Sequence, residues 1–253
     1  MTAYLLRRLL QWMVPHARRL RLLARVGKFV TFAMPRALAA QVPDNVTTGL
    51  ASDTPGSKQV LVLQGCAQQV TTGKVNQGLQ QLLGELDIGV LTAPKEGCCG
   101  SLDLHLGEEA ATLRAVRNNV DAIHPLLTQI DAVISTASGC GVTLKDYGRL
   151  LAADPDYAKT GAEVAAATVD VSEYLTVLGH SLKAKFPGKR VAWHSPCSLQ
   201  HGQQSEGLVE ALLTGAGYEL VPVPDAHLCC GSAGTYSVLQ PHWSQQLRKA
   251  KLE

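Results

Sequence analysis

QVLVLQGC, residues 59–66, decides how this chain is read. A short unbroken run of β-prone apolar residues, closed by glycine and cysteine, is the pattern of a strand buried on both faces, as parallel sheets require. Downstream, VNQGLQQLLGEL (75–86) has helical spacing and DIGVLTAP (87–94) reads as a second strand. A long amphipathic helix is expected from about Gly107 to Ile130, and DAVISTASGC (131–140) reads as a third strand running into Cys140. Strands alternating with helices predict an α/β fold, a parallel sheet with helices on its faces. In such sheets ligands collect beyond the carboxyl ends of the strands. Cys66 and Cys140 stand there, with Cys98 and Cys99 just past the second strand.

The plan recurs in the second half. KRVAWHSPC (189–197) is a strand ending on Cys197, SEGLVEALLTGAG (205–217) a helix with a glycine-rich stop, and YELVPVP (218–224) a strand followed by Cys229 and Cys230. Cys66 and Cys98 are 32 positions apart, as are Cys197 and Cys229, and GCCGS at 97–101 is matched by LCCGS at 228–232. A fixed offset of 131 residues that keeps both the separation and the tetrapeptide marks an internal duplication. The predicted fold is therefore two tandem repeats, each a small parallel sheet flanked by helices, preceded by a helical arm. The expected divisions are 1–58 for arm and linker, 59–185 for the first cysteine-rich repeat and 186–253 for the second. One offset beyond Cys140 is position 271, which lies 18 residues past Glu253. The expectation is a sequence that stops short of a ligand, inside a helix beginning around Pro241.

Seven cysteines, an odd number, without a secretory signal at the start, fit a reducing cytosolic compartment better than an oxidised framework. Thiolates gathered from separate strand ends are what an iron–sulfur cluster or a closed zinc site demands. Adjacent side chains diverge, so Cys98 and Cys99 face one centre only if the chain turns sharply. Gly100 and Gly231 supply that turn, because glycine accepts positive φ without steric cost. The first site offers four cysteines. The second offers three, with His194, His201 and His227 close in sequence.

Charge is unevenly spread. Eight of the 23 basic residues and none of the 21 acidic ones fall in residues 1–43, so that stretch carries +8 and the rest −6. Its text, YLLRRLLQWMV, a break at Pro15, then ARRLRLLARVGKFVTFAM, spaces apolar residues every three or four positions with arginines between them. These are amphipathic helices. They suit an anionic lipid surface through residues 1–40, or an acidic partner, or packing on the protein's own body. A transit peptide fits less well, because the usual serines are missing. No stretch is long and apolar enough to span a bilayer. Nucleic acid is not an expected partner: the body is acidic, and only Trp12 lies among the arm's arginines before Phe29. No dinucleotide-binding glycine motif, P-loop, zincin motif or nucleophile elbow is present.

The cysteine arrangement resembles the tandem CCG domains shared by glycolate oxidase iron–sulfur subunits, heterodisulfide reductases and lactate-utilisation proteins. The arm RRLLQWMVPHARRL and the stretches VLVLQGCAQ, STASGCGVTLKDYG and VAWHSPCSLQHGQ resemble the glycolate oxidase iron–sulfur subunits in particular. This resemblance implies a non-catalytic subunit of a flavin-dependent oxidoreductase, bound to flavoprotein subunits. Electrons from glycolate, or another 2-hydroxy acid, would pass through a [4Fe–4S] cluster towards a membrane quinone, on the inner face of the cytoplasmic membrane. Its cofactor ligands would be Cys66, Cys98, Cys99, Cys140, Cys197, Cys229 and Cys230, with zinc an alternative at one site. The chain departs from the family in two places. No cysteine run of the ferredoxin type precedes Cys66, and Ala137 stands where a CxxC would place its first cysteine. The alternatives are a heterodisulfide-reductase or lactate-utilisation type protein, or a structural zinc or cluster module that docks partner subunits.

Overall fold

The apolar run at residue 59 forms the inner strand of a parallel sheet, and the segments after it alternate as their periodicity requires. A computed structural model describes residues 2–30, 32, 46–179 and 182–252. Residues 41–45 of the expected linker, and Arg36 of the arm, lie outside the described residues. Helices α1 (Thr2–Met13) and α2 (Ala17–Val30) form the arm and break where Pro15 was expected to break them. There follow β1 (Lys58–Val62), α3 (Gln68–Thr71), α4 (Lys74–Glu85), β2 (Ile88–Leu91), α5 (Ser101–His105), α6 (Glu109–Ile123), β3 (Val133–Ser135), α7 (Ser138–Lys145), α8 (Tyr147–Leu150), α9 (Ala158–Ala167) and β4 (Thr168–Asp170). The remainder holds α10 (Val171–Leu178), β5 (Arg190–Ala192), α11 (Leu208–Gly215), β6 (Glu219–Val221), α12 (Tyr236–Leu239) and α13 (Pro241–Leu252). The chain divides into two compact units, residues 1–168 and 169–253, so the arm belongs to the same unit as the first repeat.

In the first unit β2, β1 and β3 lie side by side in that order. β1 runs parallel to β2, from Lys58↔Ile88 to Leu61↔Leu91, and parallel to β3 through Leu61↔Val133 and Val62↔Ile134. Val60, Leu61 and Val62 are wholly buried, which is why their run shows no alternation. α6 turns Thr112, Val116, Asn119, Val120 and Ile123 inward at helical spacing. Val116, Val120 and Ile123 pack with Leu61, Leu63, Val133, Leu144, Tyr147, Leu151 and Val164, and the same core takes in Cys99. The helix expected to reach Ile130 stops at Ile123, and His124–Gln129 continues as a 3₁₀ helix. Pro125 explains the change, since proline is accepted in a first turn but not in a helix interior. The linker's described part, 46–57, has no regular element yet is tied to the sheet edge. Thr54 donates its N–H to the Val90 carbonyl, and Asp53 accepts from the Thr92 N–H at 2.8 Å.

In the second unit β5 and β6 pair in parallel, Arg190↔Glu219 to Ala192↔Val221. α10 opens on a capping box: Asp170 accepts the Ser172 N–H at 2.9 Å while Glu173 accepts the Asp170 N–H at 2.7 Å. Such a cap is worth about 1 kcal/mol. α10 packs beside α11, which in turn lies on β6. The strand side chains here are exposed or half-buried, in contrast to the sealed strands of the first unit.

Candidate metal centre

Three loops leave the carboxyl ends of β1, β2 and β3 and bring four thiols together. Cys66 follows β1, Cys98 and Cys99 follow β2, and Cys140 sits in the first turn of α7 rather than at the end of β3, which stops at Ser135. The thiols neighbour one another in series, Cys66 with Cys98, Cys98 with Cys99, and Cys99 with Cys140. The set is thus continuous from the first cysteine to the last. Cys98 and Cys99 are buried at 6% and 2% exposure, and Cys66 and Cys140 are half-buried.

One sulfur is favoured as the anion. Contacts from the Cys66 and Cys99 thiols, then the backbone N–H groups of Gly100 and Leu102, hold Cys98 well below the usual thiol range, against the opposing effect of burial. Its neighbours respond in the opposite sense. The adjoining Cys98 sulfur raises Cys66 first and burial adds to it, while Cys99 is raised chiefly by the neighbouring sulfurs of Cys140 and Cys98. Gly100 makes the turn at φ 91°, as its place after two cysteines led us to expect.

The cradle is held by polar residues that the sequence did not single out. Buried Asn119 accepts the Gly97 N–H at 2.8 Å and donates to the Cys98 carbonyl at 3.0 Å. It also donates to the Tyr147 hydroxyl at 3.1 Å, and that hydroxyl donates to the Cys99 carbonyl at 3.0 Å. Both residues therefore clamp the backbone of the doubled cysteine. On the other side, Asn76 donates to the Leu63 carbonyl and accepts from the Thr136 hydroxyl, joining the loops after β1 and β3. Glu96 accepts the Gln64 N–H at 2.8 Å, tying the loops after β1 and β2, and burial pushes its carboxyl up to about 8. An asparagine inside an apolar helical stripe, with Thr112, Val116, Val120 and Ile123 around it, was the available signal for Asn119.

The second set is more open. Gly231 turns at φ 75° and donates its N–H to the Cys229 sulfur at 3.4 Å, repeating the bond that Gly100 gives Cys98. Cys197 and Cys229 are exposed and Cys230 half-buried. Of the nearby histidines, His194 donates Nε2–H to the Ala226 carbonyl at 2.9 Å, and His201 and His227 are exposed.

Among the described residues no three His, Cys, Asp or Glu side chains converge on a point suited to one metal ion. The first site presents a chain of four sulfurs instead. A [4Fe–4S] cluster binds each of its four thiolates through a different iron, so its donor set is distributed rather than convergent. The chemistry of the first set fits that group.

The fold and the paired cysteine loops place the chain in a class. It belongs to the CCG cysteine-rich domain family, whose pattern matches residues 60–145 and 191–253. Among curated proteins, the glycolate oxidase iron-sulfur subunit of Escherichia coli (strain K12) is 37% identical over 250 residues, 98% of this chain and 61% of that protein. The probable glycolate oxidase iron-sulfur subunit of Bacillus subtilis (strain 168) is 28% identical over 206 residues, 80% of this chain and 46% of that protein. Lactate utilization protein A of Geobacillus thermodenitrificans (strain NG80-2) is 27% identical over 182 residues, 71% of this chain and 74% of that protein. The chain thus spans 61% and 46% of the lengths of the two glycolate oxidase relatives.

Proposed function

We propose that this chain is the cluster-carrying part of an iron–sulfur subunit serving a flavin-dependent glycolate (2-hydroxy acid) oxidase, an electron-transfer protein with no catalytic residue of its own. The observation that supports it most is the continuous set Cys66, Cys98, Cys99 and Cys140, in a chain 37% identical to the E. coli subunit. These four would hold a [4Fe–4S] cluster, which when bound supplies one-electron transfer. The chain's own residues supply the thiolates, donate N–H groups to the Cys98 sulfur, and shield Cys98 and Cys99 from water. We take residues 59–185 and 186–253 as the two repeats and 1–58 as arm and linker. Cys197, Cys229 and Cys230 would form a weaker second site, to which a zinc ion with one histidine nitrogen is chemically suited.

Flavoprotein subunits are the partners this reading requires. The arm supports a position at the anionic inner face of the cytoplasmic membrane. Leu5, Leu9, Leu22, Val26 and Phe29 are exposed on helices that also carry Arg7, Arg18 and Arg25, a combination that binds anionic interfaces. The arm also touches its own unit, Arg21 donating to Gln69 and Arg8 pairing with Glu108 at 3.3 Å. Among the described residues no helix is long and apolar enough to cross a membrane. The deciding experiment is anaerobic reconstitution with iron and sulfide. A brown protein that bleaches with dithionite is expected, and a colourless protein that releases zinc would overturn the reading in favour of a structural module.

A further inference from the structure

Between the arm and the first repeat, within one compact unit, lies a cavity of about 730 Å³ that reaches Cys98. This is the size of a small-molecule site rather than of a packing defect. Its wall carries Arg8, Arg19, Lys95, Arg114 and the indole of Trp12. Two acids face them. Glu108 is paired with Arg8, and Asp103 lies near Arg114 and His16, so the arginines and lysine of the lining outnumber its carboxylates by two.

Two features give the cavity a defined shape chemistry. Arg19 donates to the Trp12 carbonyl at 3.0 Å and sits 5.0 Å from the centroid of the Trp12 ring, so a flat cation is held against a half-exposed flat ring. That pairing offers a stacking surface for a planar aromatic group. Opposite the arm, Lys95 adopts φ 69°, a left-handed conformation uncommon for lysine and found preferentially at functional sites. The turn is fixed by Asn118, which donates to the Lys95 carbonyl at 3.1 Å.

We infer that this cavity binds an anionic aromatic small molecule of nucleotide size, its ring on the Trp12–Arg19 surface and its phosphate or carboxylate on Lys95 and the neighbouring arginines. The site adjoins the thiolate set, and its floor includes Cys98.

The test is titration of the full chain, with and without reconstituted iron, using riboflavin 5′-phosphate as probe, followed by flavin fluorescence and calorimetry. Riboflavin supplies the same ring without the anion, and inorganic phosphate the anion without the ring. Saturable micromolar binding is expected, weakened at least about tenfold by Lys95→Glu and by Trp12→Ala, the scale of one charge-assisted hydrogen bond or one stacked ring. Riboflavin and phosphate alone are expected to bind at least about tenfold more weakly, for the same reasons. Lys95 and Trp12 are exposed, so both variants are expected to keep the parent's thermal unfolding. Absence of saturation at millimolar probe, equal affinity for riboflavin, or full affinity in both variants overturns the inference. Because binding is read in the iron-free chain as well, such a failure leaves the cluster assignment standing, and loss of iron leaves this one standing.

Discussion

The two repeats share one loop and differ in everything around it. In both, a glycine at positive φ follows two cysteines, and in both its N–H points at the first sulfur of the pair. The first loop is sunk in a core and clamped by Asn119 and Tyr147. The second leaves Cys229 exposed, beside an exposed Cys197. The doubled cysteine therefore builds a turn, and flanking elements complete a set of four neighbouring thiols: α7 supplies Cys140, while α6 and α8 hold the backbone. Position 119 moved by the 131-residue offset is Ala250, which is exposed and offers no equivalent clamp.

The comparison is broken most severely at the ligands. Cys99→Ala is expected to abolish iron retention by the first site, and Cys230→Ala to leave it unchanged, as measured by iron content after reconstitution and desalting. Next is the clamp. Asn119→Ala orphans the half-buried Gly97 N–H and the buried Cys98 carbonyl and is expected to cost about 2–3 kcal/mol in chemical denaturation of the iron-free chain. The counterpart Ala250→Asn, on an exposed helix face, should change stability by less than about 0.5 kcal/mol. Tyr147→Phe keeps the packing but deletes the bond to the Cys99 carbonyl, so about 1 kcal/mol is expected by the same measurement.

The smallest contrast concerns the two glycines. Both Gly100→Ala and Gly231→Ala force a side chain into left-handed backbone, a cost of about 1 kcal/mol each. At Gly231 the new Cβ would also meet the Ser244 backbone, its oxygen at 2.7 Å and its Cα at 3.0 Å. At Gly100 the nearest atom is a Val116 methyl at 3.3 Å. Gly231→Ala should therefore be the more damaging to its own loop, read as faster alkylation of Cys229 and Cys230. Equal effects would mean that the loops are alike in their surroundings after all.

Much of the fold could be read before any coordinates. The uniform apolar run of β1, the helical spacing of α4 and the 32-residue cysteine separation each reflect a local period, and local periods survive in sequence. Three things did not. Cys140 was read at a strand end but lies in a helix, because β3 is only three residues long and the following Thr-Ala-Ser-Gly stretch carries no period. The long helix was continued through Pro125, where the chain tightens to 3₁₀ geometry. Asn119 and Tyr147 look like ordinary polar positions, and their importance comes from burial against a loop 20 to 50 residues away in sequence, which no local pattern records. The arm was read with its environment open. Its structure has contacts to the first repeat together with exposed apolar side chains interleaved with exposed arginines.

The central claim is that one of the two cysteine sets, the first, is a complete cluster site. Iron and acid-labile sulfide counted per chain after anaerobic reconstitution test it most directly. About four of each per chain is the expected result, the content of one [4Fe–4S] cluster, falling to near zero in Cys99→Ala. About eight of each, or iron fully retained in that variant, would contradict it.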